Sequence, residues 1–446
     1  MDLLNEPWID VFTHDGPATV SLLDLARNLG DIIDVVSGDP LEDAAILRML
    51  MAADLVSDGQ IAGWLTETRG AWNLFDSAAP FWQNPQLREH LGDRSIGPAV
   101  TLSYRNAGNG SVLLDHHHNE TGLRSTPAAA ARALMMRQQF SVGGIQPFPE
   151  KIYGVKSAKA AVAASRPFVW IDAGNLAATL TANRTSGPTG TFHHTWIGGR
   201  PGRDGAHGGQ ADALTWQARS VLLIPDADGY VTGVSITEGS RYGDHTDPHL
   251  IPHTTYTRQK KNDPHTAWTV HIDRPGWRQL LTAVADPTAP GVLAADPPAG
   301  TRIRLAGLAS LKSRIDGPVT GSLPAPHISR ADTAALGTAI ADTRKYIIGR
   351  VIAAGRIAAP SSNPTAPGAW WKRLAPTNTR WNSDVEPVVR RALTGEISIP
   401  DAVDALHAHA DRYIDEVAAA LASTSPAATA AATTPPTTRK EGANPR

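Results

Sequence analysis

The sequence contains no cysteine. That removes disulfides, thiolate metal sites and a cysteine nucleophile, and it fits a reducing compartment. Long apolar runs are also missing. None approaches the ~20 residues a membrane span needs, so no membrane partner is expected. The first residues, Met1 to Phe12, show no basic stretch followed by an apolar one, so no signal peptide is expected and the cytoplasm is the expected location. A surplus of either charge is absent as well: 41 basic residues face 43 acidic ones, a formal net charge of −2. A free-standing nucleic-acid-binding domain is usually strongly basic, so any grip on a polyanion must come from local patches. Catalytic signatures are lacking too. There is no Ser-His-Asp pattern, no G-x-S-x-G, no H-E-x-x-H and no paired-carboxylate motif, which argues for a protein that is not an enzyme and needs no cofactor.

What is present suggests a mixed α+β chain. Its 446 residues are too many for one ordinary core and imply two or three domains. Residues 1–65 read as a short strand followed by helices. Pro40 to Met51 has a proline suited to a helix N-terminus and apolar residues on one face. Residues 127–140 repeat the pattern, with Thr126 as N-cap and Pro127 after it. Residues 184–212, rich in glycine, arginine and histidine, read as a loop or flexible insertion. Val221–Ile224, Tyr230–Ile236 and Trp268–Ile272 read as strands. Composition shifts near residue 325. Residues 331–357, 383–395 and 400–422 have helical periodicity and predict a four-helix-like bundle. The expected organisation is a mixed α/β domain over 1–325, a helical bundle over 326–424, and a disordered tail over 425–446.

Several local features invite chemistry, each with a plainer alternative. Asp115-His116-His117-His118-Asn119 could be metal ligands, but contiguous histidines do not readily face one ion. A loop that touches RNA bases or sugars is the other possibility. Gly143-Gly144 after a helix could allow close approach to a ligand backbone, or simply end the helix. Arg258, Lys260 and Lys261 form one cationic group, and Arg302, Arg304, Lys312 and Arg314 a second. Either could meet phosphates or be a solvated surface. Trp370-Trp371-Lys372-Arg373 and Arg380-Trp381 could stack on bases, although tryptophans in a bundle more often belong to its core.

Several segments, in order, resemble the large subunit of the type I-E CRISPR surveillance complex, the CasA family. They are Leu3-Leu4-Asn5-Glu6-Pro7-Trp8-Ile9, Pro80-Phe81-Trp82-Gln83, Leu113-Leu114-Asp115-His116-His117, Thr126 to Leu134, Gln138 to Gly144, Asp172 to Leu180, Leu214 to Arg219 and Gly307 to Ser310. The resemblance implies a division of labour in which guide RNA reads the target by base pairing while the protein reads a short flanking motif, the PAM, on duplex DNA. It implies that the loop around Leu114, Asp115 and His116 lies near the 5′ end of the guide RNA and the PAM. Gly143 and Gly144 would approach the PAM minor groove, and Lys260 or Lys261 would add a groove contact. A hairpin at Leu311, Lys312 and Ser313 would wedge the duplex open. Lys312 stands where the family commonly carries glutamine, and Leu114 where an aromatic is often found. The implied partners are other Cascade subunits, the guide RNA, double-stranded target DNA and a helicase–nuclease. Two alternatives stay open: a metal-dependent hydrolase built on His116, His117, His193 or His194, and a purely structural subunit.

Overall fold

A computed structural model describes residues 1–92, 95–105, 124–145, 157–164, 166–197, 208–242, 247–257, 263, 266–286, 288–311, 314–358, 375–422 and 433. The chain divides into two compact units, Met1–Ala325 and Pro326–Arg446.

The first unit begins with an antiparallel sheet of β1 (Ile9–Thr13), β2 (Gly16–Val20) and β3 (Ile32–Val35), ordered β2-β1-β3. A single strand was expected here. β2 escapes a pattern search because its side chains are mostly exposed and show no apolar alternation. The short α1 (Leu22–Arg27) precedes β3. Next comes α2 (Pro40–Val56), which runs past the expected end at Met51. Asp39 caps it by accepting from the Leu41 N–H at 2.9 Å, and Pro40 opens its first turn. Residues Ala44 to Asp54 are all buried, so α2 is a central helix that is covered on every side.

After α3 (Ile61–Glu67) and β4 (Gly97–Pro98), α4 (Pro127–Phe140) forms as predicted, with Thr126 Oγ1 accepting from the Ala129 N–H at 3.2 Å. Two short strands, β5 (Gly144–Ile145) and β6 (Ser157–Ala158), pair next. β7 (Phe168–Asp172) leads through the Asn175 cap into α5 (Leu176–Ala182). The helix α6 (Gln210–Thr215) then precedes β8 (Arg219–Pro225) and β9 (Val231–Glu238), which pair antiparallel with β4 on the far side of β9. β10 (Tyr256–Thr257) pairs with β11 (Thr266–Ala267). Finally α7 (Gly276–Val284) packs on the long hairpin of β12 (Arg302–Leu311) and β13 (Arg314–Pro324), to which β7 adds on the other edge.

Two expectations need correction. Trp268–Ile272 is not a strand. The Gln279 side chain of α7 accepts from the His271 N–H at 3.0 Å and donates to the His271 carbonyl at 2.9 Å, so a side-chain amide replaces the ladder partner. Residues 184–212 are not simply a loop, because the last of them open α6. Asp212 in that helix accepts from the N–H groups of Thr191, Gly208 and Gly209 at 2.9–3.1 Å, and Arg184 is tied to Asp54 at 2.7 Å. Residues 198–207 lie outside the described ones.

The second unit contains α8 (Arg330–Ala358), α9 (Ala375–Leu393) and α10 (Ile399–Ala422) among the described residues. α10 packs against both others. Leu336, Ile340, Val385, Val389, Leu406 and Ile414 are buried, and Trp381 belongs to this interior at 3% exposure, which settles its core role. Arg380 is engaged by Glu416 at 2.8 Å. Trp370 to Arg373 lie outside the described residues, as do residues 425–446 apart from Thr433.

Candidate functional site

Gly143 and Gly144 lie where α4 hands the chain to β5. The segment after α4 runs antiparallel to the one after β6: Ala163 N–H donates to the Gln139 carbonyl at 3.1 Å, Ala161 N–H to Ser141 at 2.8 Å, and Gly144 faces Ala158. The geometry favours glycine at both positions, through a tight approach at Gly143 and the backbone angle at Gly144. A Cβ on Gly143 would stand 3.1 Å from the Ala160 nitrogen and 3.2 Å from the Ala158 oxygen, and Gly144 has φ 153°. The residues between β5 and β6 lie outside the described ones.

Arg219 holds the base of this glycine hairpin. It is fully buried at 0% exposure. One Nη donates to the Val142 carbonyl at 2.6 Å, on the outgoing segment. The other donates to Lys159 at 2.8 Å, on the return segment, and to Ala218 at 2.7 Å. Burial and the nearby Arg137 charge push its pKa down to about 9. Gln138 completes the arrangement. Its Oε1 accepts from the Arg219 N–H at 2.8 Å, and its Nε2 donates to the carbonyls of Arg219 and Trp82 at 2.9 and 3.0 Å. Sequence alone did not mark Arg219 or Gln138 as a clamp. The only hint was that both fall in segments of the family resemblance.

The long hairpin is the second element. Its register pairs Arg302 with Pro324 and ends at Leu311 opposite Arg314, with an irregularity between Ala309 and Ser310. Lys312 and Ser313 connect the two strands in sequence but lie outside the described residues. Ala164, on the segment leaving the glycine hairpin, bridges Leu308 in parallel. The two hairpins are therefore joined within one unit. Counting extended residues from Ala158, opposite Gly144, to Ala164 and from Leu308 to Leu311 bounds their separation at about 35 Å. That is about one turn of duplex.

Arg302 and Arg304 do not form the free phosphate patch their sequence neighbourhood suggested. Arg302 meets Asp172 at 2.7 Å, while Arg304 meets Asp34 at 2.5 Å and Asp172 at 3.5 Å. The Arg304 guanidinium also lies 5.0 Å from the centroid of the Trp170 ring. These acids neutralise the two cations. The remaining candidates, Leu114, Asp115, His116, Lys260 and Lys261, lie outside the described residues, as does His117. Lys260 and Lys261 fall in the connection between the paired strands β10 and β11.

Of the hydrolase histidines, His193 Nε2 lies 2.8 Å from Asp212 Oδ1. Burial works against the Asp212 carboxylate, but the His193 ring and the N–H groups of Thr191 and Gly208 outweigh it and lower its pKa. His194 sits among the rings of Phe192, Trp64 and Trp72, with centroids at 4.6–5.1 Å. Both anchor the loop, and Trp82 Nε1 donates to the His193 carbonyl at 2.6 Å. Among the described residues, no three of His, Cys, Asp and Glu are grouped to hold a metal, and no helix is long and apolar enough to cross a membrane.

Burial, then the neighbouring His193, lower the His194 pKa to about 4. A histidine lowered in this way contributes stability above its ordinary value near 6.5, and that contribution fades as pH falls toward 4. His194→Phe should thus change stability little at pH 7.5 but raise it by about 2 kcal/mol relative to wild type at pH 5. Urea unfolding at the two pH values checks this, and an equal change at both would count against it.

The sequence matches the family model described as CRISPR-associated protein Cse1 over residues 2–428. It is 28% identical over 281 residues to the CRISPR-associated protein CasA/Cse1 of Thermus thermophilus. That alignment covers 55% of this chain and 54% of the relative, so the chain matches about half the length of its curated relative. The crystal structure of Thermus thermophilus CasA superimposes with a TM-score of 0.75 at 18% identity, covering 97% of this chain and 99% of that one. Thermobifida fusca Cse1 gives 0.70 at 17%, covering 97% and 94%. A chain of a CRISPR RNA-guided surveillance complex gives 0.73 at 19%, covering 97% and 98%. These likenesses show a shared fold, and the near full-length match shows kinship: the chain belongs to the CRISPR-associated protein Cse1 family.

Proposed function

We propose that this chain is the large subunit of an RNA-guided surveillance complex of the Cascade type in the cytoplasm, and that it recognises the PAM on double-stranded DNA, helps to open the duplex and recruits a helicase–nuclease. It is a recognition subunit and not an enzyme. The observation that carries this reading is the Ala164–Leu308 bridge, which ties a glycine hairpin to a long two-stranded hairpin within about one duplex turn. A backbone without side chains suits close approach to the minor groove, whose readout is degenerate. A braced hairpin suits a wedge, because parting a base step costs a few kcal/mol that rigid protein contacts must offset. The guide RNA supplies the sequence reading. Leu114, Asp115 and His116 are assigned to the region near the 5′ end of the guide and the PAM, and Lys260 or Lys261 to the groove beside the glycines. The helical unit contacts neighbouring subunits.

The test is a reconstituted assembly of companion subunits and guide RNA, with and without this chain, bound to a library of duplexes that differ only beside the target. PAM discrimination should disappear when the chain is omitted. If discrimination persists unchanged, the proposal fails. In the complete assembly, Lys312→Ala should weaken binding and strand opening on PAM-bearing duplex by about tenfold, with a smaller loss on PAM-less duplex. Equal losses on both would reduce Lys312 to a general phosphate contact.

A further inference from the structure

Arg137, in the last turn of α4, belongs to no ion pair and has no side-chain hydrogen bond among the described residues. Its Nε is buried without a hydrogen-bond partner, although the residue as a whole remains partly exposed. A cation near a helix C-terminus gains from the helix dipole, but that gain is available to an exposed side chain and does not require an unpaired nitrogen in the interior. The neighbourhood is more demanding. Ser141 Oγ donates to the Arg137 carbonyl, so the glycine hairpin starts from its own backbone. Arg219 is close enough for the two like charges to repel. All the hydrogen bonds made by the Arg219 guanidinium go to carbonyl oxygens. The buried carboxylate of Glu238 stands opposite Arg219 in the β8–β9 register, whereas Arg137 has neither an ion pair nor a side-chain hydrogen bond among the described residues, so it is on the Arg137 side that an anion is missing.

We infer that Arg137 takes a backbone phosphate of the target duplex, seated beside Gly143 and Gly144 where the glycine hairpin meets the groove. This rests on the DNA-reading role proposed above and adds a residue that role did not contain. A guanidinium offers paired donors matched to two phosphate oxygens, which a lysine does not. The contact carries no sequence information. It fixes the register in which the glycines meet the groove.

The experiment uses the complete assembly with guide RNA, a labelled matched duplex and a series of KCl concentrations. Arg137→Ala should weaken binding about tenfold at fixed salt and lower the slope of log affinity against log salt by about 0.9. Both losses should be similar on duplexes with different PAM sequences, and Arg137→Lys should restore most of the slope. Thermal unfolding of the Arg137→Ala chain should match wild type, since no partner is stranded. An unchanged slope would overturn the inference. So would failure of the Arg137→Ala chain to join the assembly, because the missing anion would then be a carboxylate of a companion subunit. If the wild-type assembly ignores duplex DNA altogether, both this inference and the proposed function fall.

Discussion

Arg219→Met should cost the first unit about 3 kcal/mol of stability and loosen the glycine hairpin. Two effects compete. Removing the guanidinium relieves the burial of a charge whose pKa is already pushed down to about 9. It also strands the carbonyls of Val142, Lys159 and Ala218, which lose their donors in a partly to fully buried site. A stranded buried acceptor costs about 1–3 kcal/mol, so three of them outweigh the relief. Methionine, which fills the space with apolar atoms, should therefore be worse than alanine, which leaves room for water to reach the carbonyls. Urea unfolding of both variants gives the order, and hydrogen exchange at Ala161 and Ala163 reports the hairpin base. A methionine variant as stable as wild type would show that Arg219 is not a clamp.

Gly276→Ala should have a comparable effect at the other hairpin. The first turn of α7 lies directly on β13: a Cβ on Gly276 would stand 2.0 Å from the Thr320 oxygen and 2.7 Å from the Gly321 Cα. On the strand side, a Cβ on Gly321 would meet the Gly276 carbonyl carbon at 2.3 Å. Backbone is in the way in each case, so no side chain can swing aside. The helix must lift, with a loss of about 3 kcal/mol or more. Lifting it also withdraws Gln279 from the backbone of His271 and Arg274. Thermal unfolding and exchange protection along β13 measure the outcome. Gly321→Ala should resemble it, and the double variant should cost less than the sum, since both open the same contact. Additive losses would mean that the two glycines serve separate contacts.

Much of the fold was legible because its signals are local. Pro40 announces the start of α2, and Thr126-Pro127 the start of α4 through a cap and a proline, and both starts are where those residues placed them. What failed to show was non-local. Arg302 and Arg304 looked like an open cationic patch because the acids that neutralise them lie far away in the chain: Asp172 is 130 residues from Arg302, and Asp34 is 270 from Arg304. Trp268–Ile272 alternated like a strand, yet its ladder partner is a glutamine side chain on a helix. In the candidate site, Gly143 and Gly144 were visible as a motif. Arg219 was not, since a buried arginine bonded through its Nη atoms to carbonyls leaves no mark of charge pairing in sequence.

The neutralised arginines of the long hairpin bear on kinetics. Attraction over distance needs unbalanced charge, and it sets how fast a polyanion is captured. Asp34 and Asp172 cancel Arg302 and Arg304, and the whole chain carries a net −2. If the chain acts as proposed above, a double helix would feel little long-range pull from it, and its contribution would be to dwell time: how long a captured site is kept before release.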